Sequence, residues 1–484
     1  MQIFQEGTTV AILTDAPKIQ GNILLPFGGR YQAFVTLSFR SDRSAARAWL
    51  REAAARVAST DDVERALDGD DQGQGRARRG RRLKQTAVLL NVGLTATGLT
   101  LLHQEVASDL APFDAFWRGP LGTRLDADGR LTTAPALLGD TGDSDPANWV
   151  VGKPAGAPVD ALLTLAADDA GTIRDALRDE RRLAEDAGLA VLWSEQGEVR
   201  RNEGNRRVEH FGFADGISQP GVRGFSDPEQ SGTVIAPGEF VLGYPGERRP
   251  QNWAPRPTPA SWMRGGSFQV FRRMNQDAAG WWRRMGGSGA EADSAAAKAL
   301  GRSLDGASLE PGATPENQNK FTYGDDESGR HTPLYAHIRK MNPREDDVFR
   351  DRGHKMLRRG ITFGPAFDRE RPDDRERGIL FNAYVASIED QFEFLLRHWA
   401  NEPRFPTSAL NAYGRSLADK DRIDGLDPVV GLSEKQARER LPQDVVDRIP
   451  RQAFGGFVTT TGCVYAFAPT LPALRQLAGE APIG

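Results

Sequence analysis

Residues 161–195 carry a strand, a helix and a second strand in succession and read ALLTLAADDAGTIRDALRDERRLAEDAGLAVLWSE. Ala161–Ala166 is apolar except for one threonine, which predicts a buried strand. Asp168–Ala187 is rich in charge, and its apolar residues recur at helical spacing. Gly188–Glu195 returns to a strand pattern. The segment therefore predicts one strand–helix–strand unit.

A similar unit lies upstream of this segment. Tyr31–Phe39 alternates apolar and polar residues, which predicts a strand with one buried face. Ser44–Ala58 follows with apolar residues at helical spacing, and Gln85–Asn91 predicts the next strand. Two strand–helix–strand units in tandem are the chain order of the ferredoxin-like fold.

The second half of the chain repeats this alternation. Its predicted strands are Ser267–Met274, Gly378–Tyr384 and Gly455–Phe467, and its predicted helices include Gln276–Met285 and Ala290–Arg302. We therefore expect an α+β protein with a duplicated ferredoxin-like fold, in which two antiparallel sheets carry peripheral helices. The expected division places one half at residues 1–225 and the other at residues 226–484.

Composition narrows the class of protein. The chain has 484 residues, of which 39% are hydrophobic and 26% charged, as in soluble proteins of two domains. A net charge of −4 gives no support for a nucleic-acid or membrane partner. Neither a leader peptide nor a long apolar run is recognised, so cytoplasm is the expected location. The single cysteine, Cys463, excludes an internal disulfide and a thiolate metal cluster.

The loop VEHFGFADGISQP at residues 208–220 is the first candidate for chemistry. Most Asp-Gly pairs are solvent turns, but the apolar neighbours of Asp215 argue against that interpretation. A carboxylate held near a bound peroxide can move a proton from one oxygen to the other.

Residues 331–364 supply the second set of candidates. His337 is followed by Arg339, Lys340 and Arg344, a set suited to binding carboxylates such as heme propionates. A histidine of this kind is more often structural than a ligand, so the context decides. A neutral imidazole is the usual axial ligand of heme peroxidases.

Two adjacent arginines, Arg358 and Arg359, begin the strand that follows. Successive strand residues point to opposite faces, so only one of them can face a buried site. One interpretation is a surface pair in salt bridges. The other is an arginine whose charge stabilises a peroxide anion.

These segments resemble those of the dye-decolorizing peroxidases. Residues 212–220 are similar to the family's signature loop, residues 336–340 to its proximal-histidine segment, and residues 358–365 to its distal-arginine strand. Residues 378–381, 391–394 and 425–431 resemble further landmarks in the same order along the chain. The length indicates the longer, advanced members of the family.

The resemblance implies a heme b peroxidase that reduces hydrogen peroxide and oxidises dyes or phenolics by one-electron steps through a ferryl intermediate. His337 would be the axial iron ligand, and Asp215 and Arg358 the catalytic pair on the other face of the heme. The residues expected to line the cofactor pocket are Arg339, Ile379, Phe381 and Phe363. The heme would be held mainly by the second half of the chain.

Several points stay open at this level. A heme-binding or heme-handling protein with little turnover is the alternative function. The acid behind His337 could be Asp427, Glu389 or Glu393. Assembly into a homo-oligomer is left open, as are the physiological donor and the assignment of any surface tryptophan or tyrosine as an electron relay. The aromatic residues considered for that relay are Trp262, Trp281, Trp282 and Tyr335.

Overall fold

A computed structural model describes residues 13–483 except 14, 69–81, 127, 227–232, 248–254, 314–318, 345–351 and 408–421. Its main sheet contains nine strands. They are β1 Tyr31–Ser38, β2 Leu89–Leu94, β3 Ala161–Ala167, β4 Ala190–Glu198, β5 Ser267–Gln276, β6 Leu357–Arg358, β7 Ile361–Phe363, β8 Gly378–Val385 and β9 Val458–Ala468.

The order of these strands confirms the duplicated ferredoxin-like fold. The first half runs β2-β3-β1-β4, and the second runs β6-β8-β5-β9, with β7 also pairing with β8. Both halves therefore place their strands in the same antiparallel order. Backbone pairing joins the two sheets edge to edge at one residue pair, Phe467 and Leu94.

Helices surround the two sheets. Those of the first half are Gly21–Leu24, Arg43–Ala54, Thr60–Ala66, Ala96–Leu102, Ala107–Leu110, Asp114–Arg118, Ala134–Leu138 and Ala170–Asp186. Those of the second half are Ala278–Met285, Ala290–Leu300, His337–Met341, the π-helical segments Ile388–Glu393 and Leu395–Ala400, and Glu434–Arg440, Gln443–Val446 and Leu471–Leu477. None of the helices in the described ranges is long and apolar enough to cross a bilayer.

The helix boundaries follow local capping chemistry. The side chain of Asp42 accepts a hydrogen bond from the amide of Ala45 and begins the helix Arg43–Ala54. Asp169 caps Ala170–Asp186 in the same way through the amide of Thr172. Each cap satisfies an amide that has no partner inside its helix.

One predicted strand was displaced along the chain. The prediction Gln85–Asn91 ended at Asn91, whereas β2 continues to Leu94. Asn91 is 1% exposed, and its amide donates to the hydroxyl of Tyr384 at 3.4 Å. A polar residue that looked like a strand end is thus a buried strand interior, because a distant side chain supplies its partner.

Opposite faces of the second sheet have different neighbours. Leu380 of β8 and Phe271 of β5 pack against Phe34 of β1, and the rings of Phe34 and Phe271 lie 4.8 Å apart. Side chains of a strand alternate between faces, so Ile379 and Phe381 point away from the first sheet. The functional cavity lies on that second face.

The tryptophans considered as surface relays lie in the interior. Trp262, Trp281 and Trp282 are at most 5% exposed. Trp281 stacks on Phe211 with ring centroids 4.7 Å apart, directly beside the Asp215 loop. The structure therefore places these three residues in the hydrophobic core.

Candidate active site

His337 begins a short helix and is held from behind by an acid. Its Nδ1 lies 2.8 Å and 3.1 Å from the two carboxylate oxygens of Asp427. The imidazole is 25% exposed and lines a cavity, whereas Asp427 is fully buried. With Nδ1 engaged, Nε2 is the ring nitrogen left for a ligand in the cavity.

Asp427 is the acid that the sequence left open among three candidates. Its Oδ1 accepts the amides of Val429 at 2.8 Å and Val430 at 2.9 Å. Burial raises the pKa of Asp427, but the charge and hydrogen bond of His337 and these amides outweigh it, so the pKa lies below its ordinary value. An ionised partner fixes the imidazole and raises its basicity as a ligand.

The other two acids have different surroundings. Glu393 is buried, pairs with Arg124 at 2.9 Å and accepts the hydroxyl of Tyr465 at 3.1 Å. Burial and the nearby charge of Glu393 raise the pKa of Glu389 to about 7. The hydrogen bonds of His337 single out Asp427 among the three acids.

Asp215 lies in the loop after the hairpin strand Arg207–Val208. Its Oδ1 accepts the amide of Gly216 at 2.6 Å, and its Oδ2 lies 3.5 Å from Nε of Arg207. The side chain is 44% exposed. Arg207 also donates to the carbonyl of Gly360 at 2.5 Å, which ties this loop to the strand that carries Arg358.

Arg358 shares the cavity with Asp215. Its guanidinium donates to the carbonyl of Ser218, and its amide donates to the side chain of Gln219 at 3.2 Å. The surrounding protein lowers the pKa of Arg358 by desolvation, although the side chain is accessible from the cavity, and the charge of Asp215 partly offsets that effect. The two side chains are therefore electrostatically coupled.

Arg359 points the other way, as strand alternation requires. Its guanidinium donates to the carbonyls of Asn22 and Ile23 at 2.8 Å each, at the end of the helix Gly21–Leu24. Burial lowers its pKa to about 10. Arg359 is buried and joins the two halves of the chain, although it also contributes to the cavity lining, whereas Arg358 is exposed there.

The cavity measures about 690 Å³, within the usual range for cofactor and ligand sites. His337, Asp215 and Arg358 all line it. Ile379 and Phe381 form part of its apolar wall, as expected, together with Met274 and Phe392. One space thus brings together the predicted ligand, the predicted acid–base group and the predicted cation.

Phe363 does not line this cavity, contrary to expectation. Its partner across the sheet is Gly378, whereas the partner of Thr362 is Ile379. Directly opposed residues of antiparallel strands share a face, so Phe363 lies on the face opposite to Ile379. It is 3% exposed and packs against the guanidinium of Arg273 at 4.4 Å.

Arg339 does not line the cavity either, contrary to expectation. It is fully buried and donates to the carbonyl of Thr332 at 2.9 Å and to Asp326 at 3.3 Å. Residues two apart on a helix point about 200° apart, so Arg339 faces away from the cavity that His337 faces. Lys340 is likewise buried, with Nζ donating to three backbone carbonyls.

Two other arginines supply positive charge at the cavity. Arg344 donates to the carbonyls of Asn319 and Phe321 at 3.1 Å each. Burial and the charges of Arg344 and Arg358 together lower the pKa of Arg302 to about 10. Arg344 belongs to the basic segment recognised in the sequence, whereas Arg302 follows an alanine-rich helix that carries no functional signal.

Comparison with known proteins identifies relatives over most of the chain. Residues 247–419 match the family described as Dyp-type peroxidase, C-terminal. The multifunctional dye peroxidase DyP2 of Amycolatopsis sp. is 30% identical over 405 residues, which cover 74% of this chain and 82% of that protein. Peroxidase 2 of Mycetinis scorodonius is 28% identical over 426 residues, with 81% and 76% covered.

Solved structures agree on the fold. The structure of a decolorizing peroxidase from Auricularia auricula-judae has a TM-score of 0.70 to this chain at 24% identity. The match covers 96% of this chain and 99% of that one. The whole architecture described above, rather than one half, is therefore shared.

Proposed function

Since the chain belongs to the dye-decolorizing peroxidase family and is a heme enzyme that uses hydrogen peroxide to oxidise organic donors, we propose that His337 is the iron ligand and that Asp215 and Arg358 act on the peroxide. In this proposal residues 1–225 supply Asp215, and residues 226–484 supply His337 and Arg358. The observation that carries it is the single cavity that all three side chains line.

The residues present fit a heme. The Nδ1 of His337 is occupied by a buried carboxylate, and its Nε2 has no hydrogen-bond partner among the described residues. Bound heme would supply the iron at which peroxide is reduced, and it would hold the oxidising equivalents that organic donors then consume by giving electrons. Asp427 holds the imidazole in one tautomer and orientation for that ligation.

Arg344 and Arg302 are the candidates for the heme carboxylates. Both line the cavity, and their mutual repulsion adds to the burial that lowers the pKa of Arg302. A cofactor carboxylate would relieve that repulsion, because an anion within a few ångströms stabilises a buried cation. They replace Arg339, which uses its donors within the protein core.

Asp215 and Arg358 have complementary tasks. The carboxylate of Asp215 accepts a proton from one peroxide oxygen and returns it to the other. The guanidinium of Arg358 holds negative charge on the departing oxygen without itself losing a proton. A protein that only binds or carries heme needs His337 but has no use for this pair, so their joint position favours the enzyme.

The test compares the reaction of heme-loaded protein with one equivalent of peroxide, followed by stopped-flow absorbance. Asp215→Ala and Arg358→Ala should each slow the spectral change by about 10²-fold or more while heme stays bound. His337→Ala should lose or weaken heme binding itself. Asp368→Ala and Arg375→Ala, which change exposed residues outside the cavity, serve as matched controls. Wild-type rates in both distal variants would refute the assignment.

A further inference from the structure

The cavity extends beyond the proposed peroxide site to a second polar end. This end, called here the Asp140 end, is formed by Leu138, Gly139, Asp140, Ser144, Arg272, Leu432, Gln436 and Thr460. A small side pocket of about 50 Å³ adjoins Ser218, Arg344 and Arg358 and includes none of these residues. The Asp140 end therefore shares no residue with that side pocket.

An ion pair forms the centre of the Asp140 end. The guanidinium of Arg272 donates to Oδ1 of Asp140, and the two side chains are 5% and 6% exposed. Oδ2 of Asp140 has no hydrogen-bond partner among the described residues. Removing two charges from water is costly, and this pair leaves one carboxylate oxygen available at the cavity wall.

The wall that carries Asp140 is rigid. The side-chain amide of Gln436 donates to the carbonyls of Gly139 and Thr141 at 3.0 Å each. The amide of Thr460 donates to the hydroxyl of Ser144 at 3.0 Å. These bonds fix the segment on both sides of Asp140, so the carboxylate is held in place rather than free to turn into solvent.

The surroundings of Asp140 suit an aromatic ring that carries one polar group. Arg272 lies directly across the sheet from Phe381, and its guanidinium is 5.5 Å from the ring centroid of Phe392. Leu138 and Leu432 add apolar side chains to the lining. A single ring packs against such a surface, and its hydroxyl can meet the carboxylate.

We propose that the Asp140 end binds small phenolic donors, whose hydroxyl group donates a hydrogen bond to Oδ2 of Asp140. This inference rests on the proposed peroxidase function and adds the place where a donor sits. With heme bound and oxidised by peroxide, each phenol would give up one electron, and Asp140 would accept its hydroxyl proton and pass it to water. Two phenols and one peroxide thus yield two phenoxyl radicals and two waters.

The test measures binding separately from turnover. Guaiacol and anisole, which differ in the phenolic hydroxyl, are titrated into the resting heme-loaded protein, and Kd is read from the absorbance change. Asp140→Asn keeps the shape of the side chain and should raise Kd and KM for guaiacol about tenfold, with Kd for anisole unchanged. Asp140→Glu should restore part of the affinity. Asp143→Asn, on the same segment but outside the cavity, is the matched control.

A second variant, Val458→Trp, tests guaiacol binding while leaving the ion pair of Arg272 and Asp140 intact. Val458 lines the cavity and is only partly buried, so a larger side chain there should obstruct ligands and weaken guaiacol. Unchanged guaiacol binding in both Asp140→Asn and Val458→Trp, or equal weakening of guaiacol and anisole in Asp140→Asn, would overturn the proposal. Failure of wild-type protein to react with peroxide would instead refute the proposed function, because guaiacol binding is measured without peroxide.

Discussion

Two aspartates beside the proposed heme, Asp427 and Asp215, differ in how firmly the protein holds their carboxylates. On the histidine side, Asp427 is fully buried and makes contacts of 2.8–3.1 Å with His337 and two amides. On the peroxide side, Asp215 is 44% exposed and has its ionic partner Arg207 at 3.5 Å. A metal ligand needs one fixed orientation, whereas a group that carries a proton between two atoms needs freedom to reorient.

The largest expected effect is the loss of heme affinity when Asp427, the acid that holds His337, is removed. Asp427→Ala removes the partner of the imidazole and leaves the amides of Val429 and Val430 without the carboxylate that accepts from them. We expect heme affinity to fall about 10- to 100-fold, because outer partners of metal ligands contribute at this level. Competition for heme with an apoprotein acceptor measures this affinity.

A surface aspartate provides the control for that variant. Asp444→Ala, in the short helix Gln443–Val446, should leave heme affinity unchanged. If Asp427→Ala retained wild-type affinity, the rigid description of the histidine side would be wrong.

The peroxide side should respond more weakly to the loss of Arg207. Exposed ion pairs contribute about 0.2–1 kcal/mol, so Arg207→Gln should change the rate of the peroxide reaction by at most about fivefold. Stopped-flow absorbance reads this rate. Arg206→Gln, on the same hairpin but outside the cavity, is the control. A loss of 10²-fold or more would show that Arg207 belongs to the reacting groups and that the peroxide side is as rigid as the histidine side.

The smallest expected effect is on the pH dependence of stability, and it comes from Glu209, in the loop that carries Asp215. Burial raises the pKa of Glu209 from 4.5 to about 7, although the amides of Phe211 and Phe213 donate to its carboxylate. The folded state then binds a proton that the unfolded state has released between these values, so the free energy of unfolding falls as pH rises from 4.5 to 7. The free energy of unfolding, measured with denaturant, should differ less between pH 5 and pH 8 in Glu209→Gln than in wild type. An equal difference in both proteins would exclude this role for Glu209.

Local patterns were sufficient for the fold, and together with the family resemblance they nominated three candidates that line one cavity. Strand alternation and helical spacing predicted the tandem units whose strand order the structure confirms. Asp215, His337 and Arg358 each lie in a distinctive segment, so a motif could nominate them, and alternation along one strand favoured a split between Arg358 and Arg359. The displaced end of β2 shows the limit, since Asn91 is a strand interior only because Tyr384 reaches it.

The sequence by itself determined which segments become strands and helices, because backbone geometry imposes their periods on neighbouring residues. Only the tertiary structure decided which distant groups meet. Asp427 lies 90 residues from His337, and no local pattern distinguishes it from Glu389 or Glu393. The exclusion of Arg339 and Phe363 from the cavity likewise depends on the direction in which each element is docked. Pairings of this kind follow from the packing of whole elements, which residue spacing along the chain does not encode.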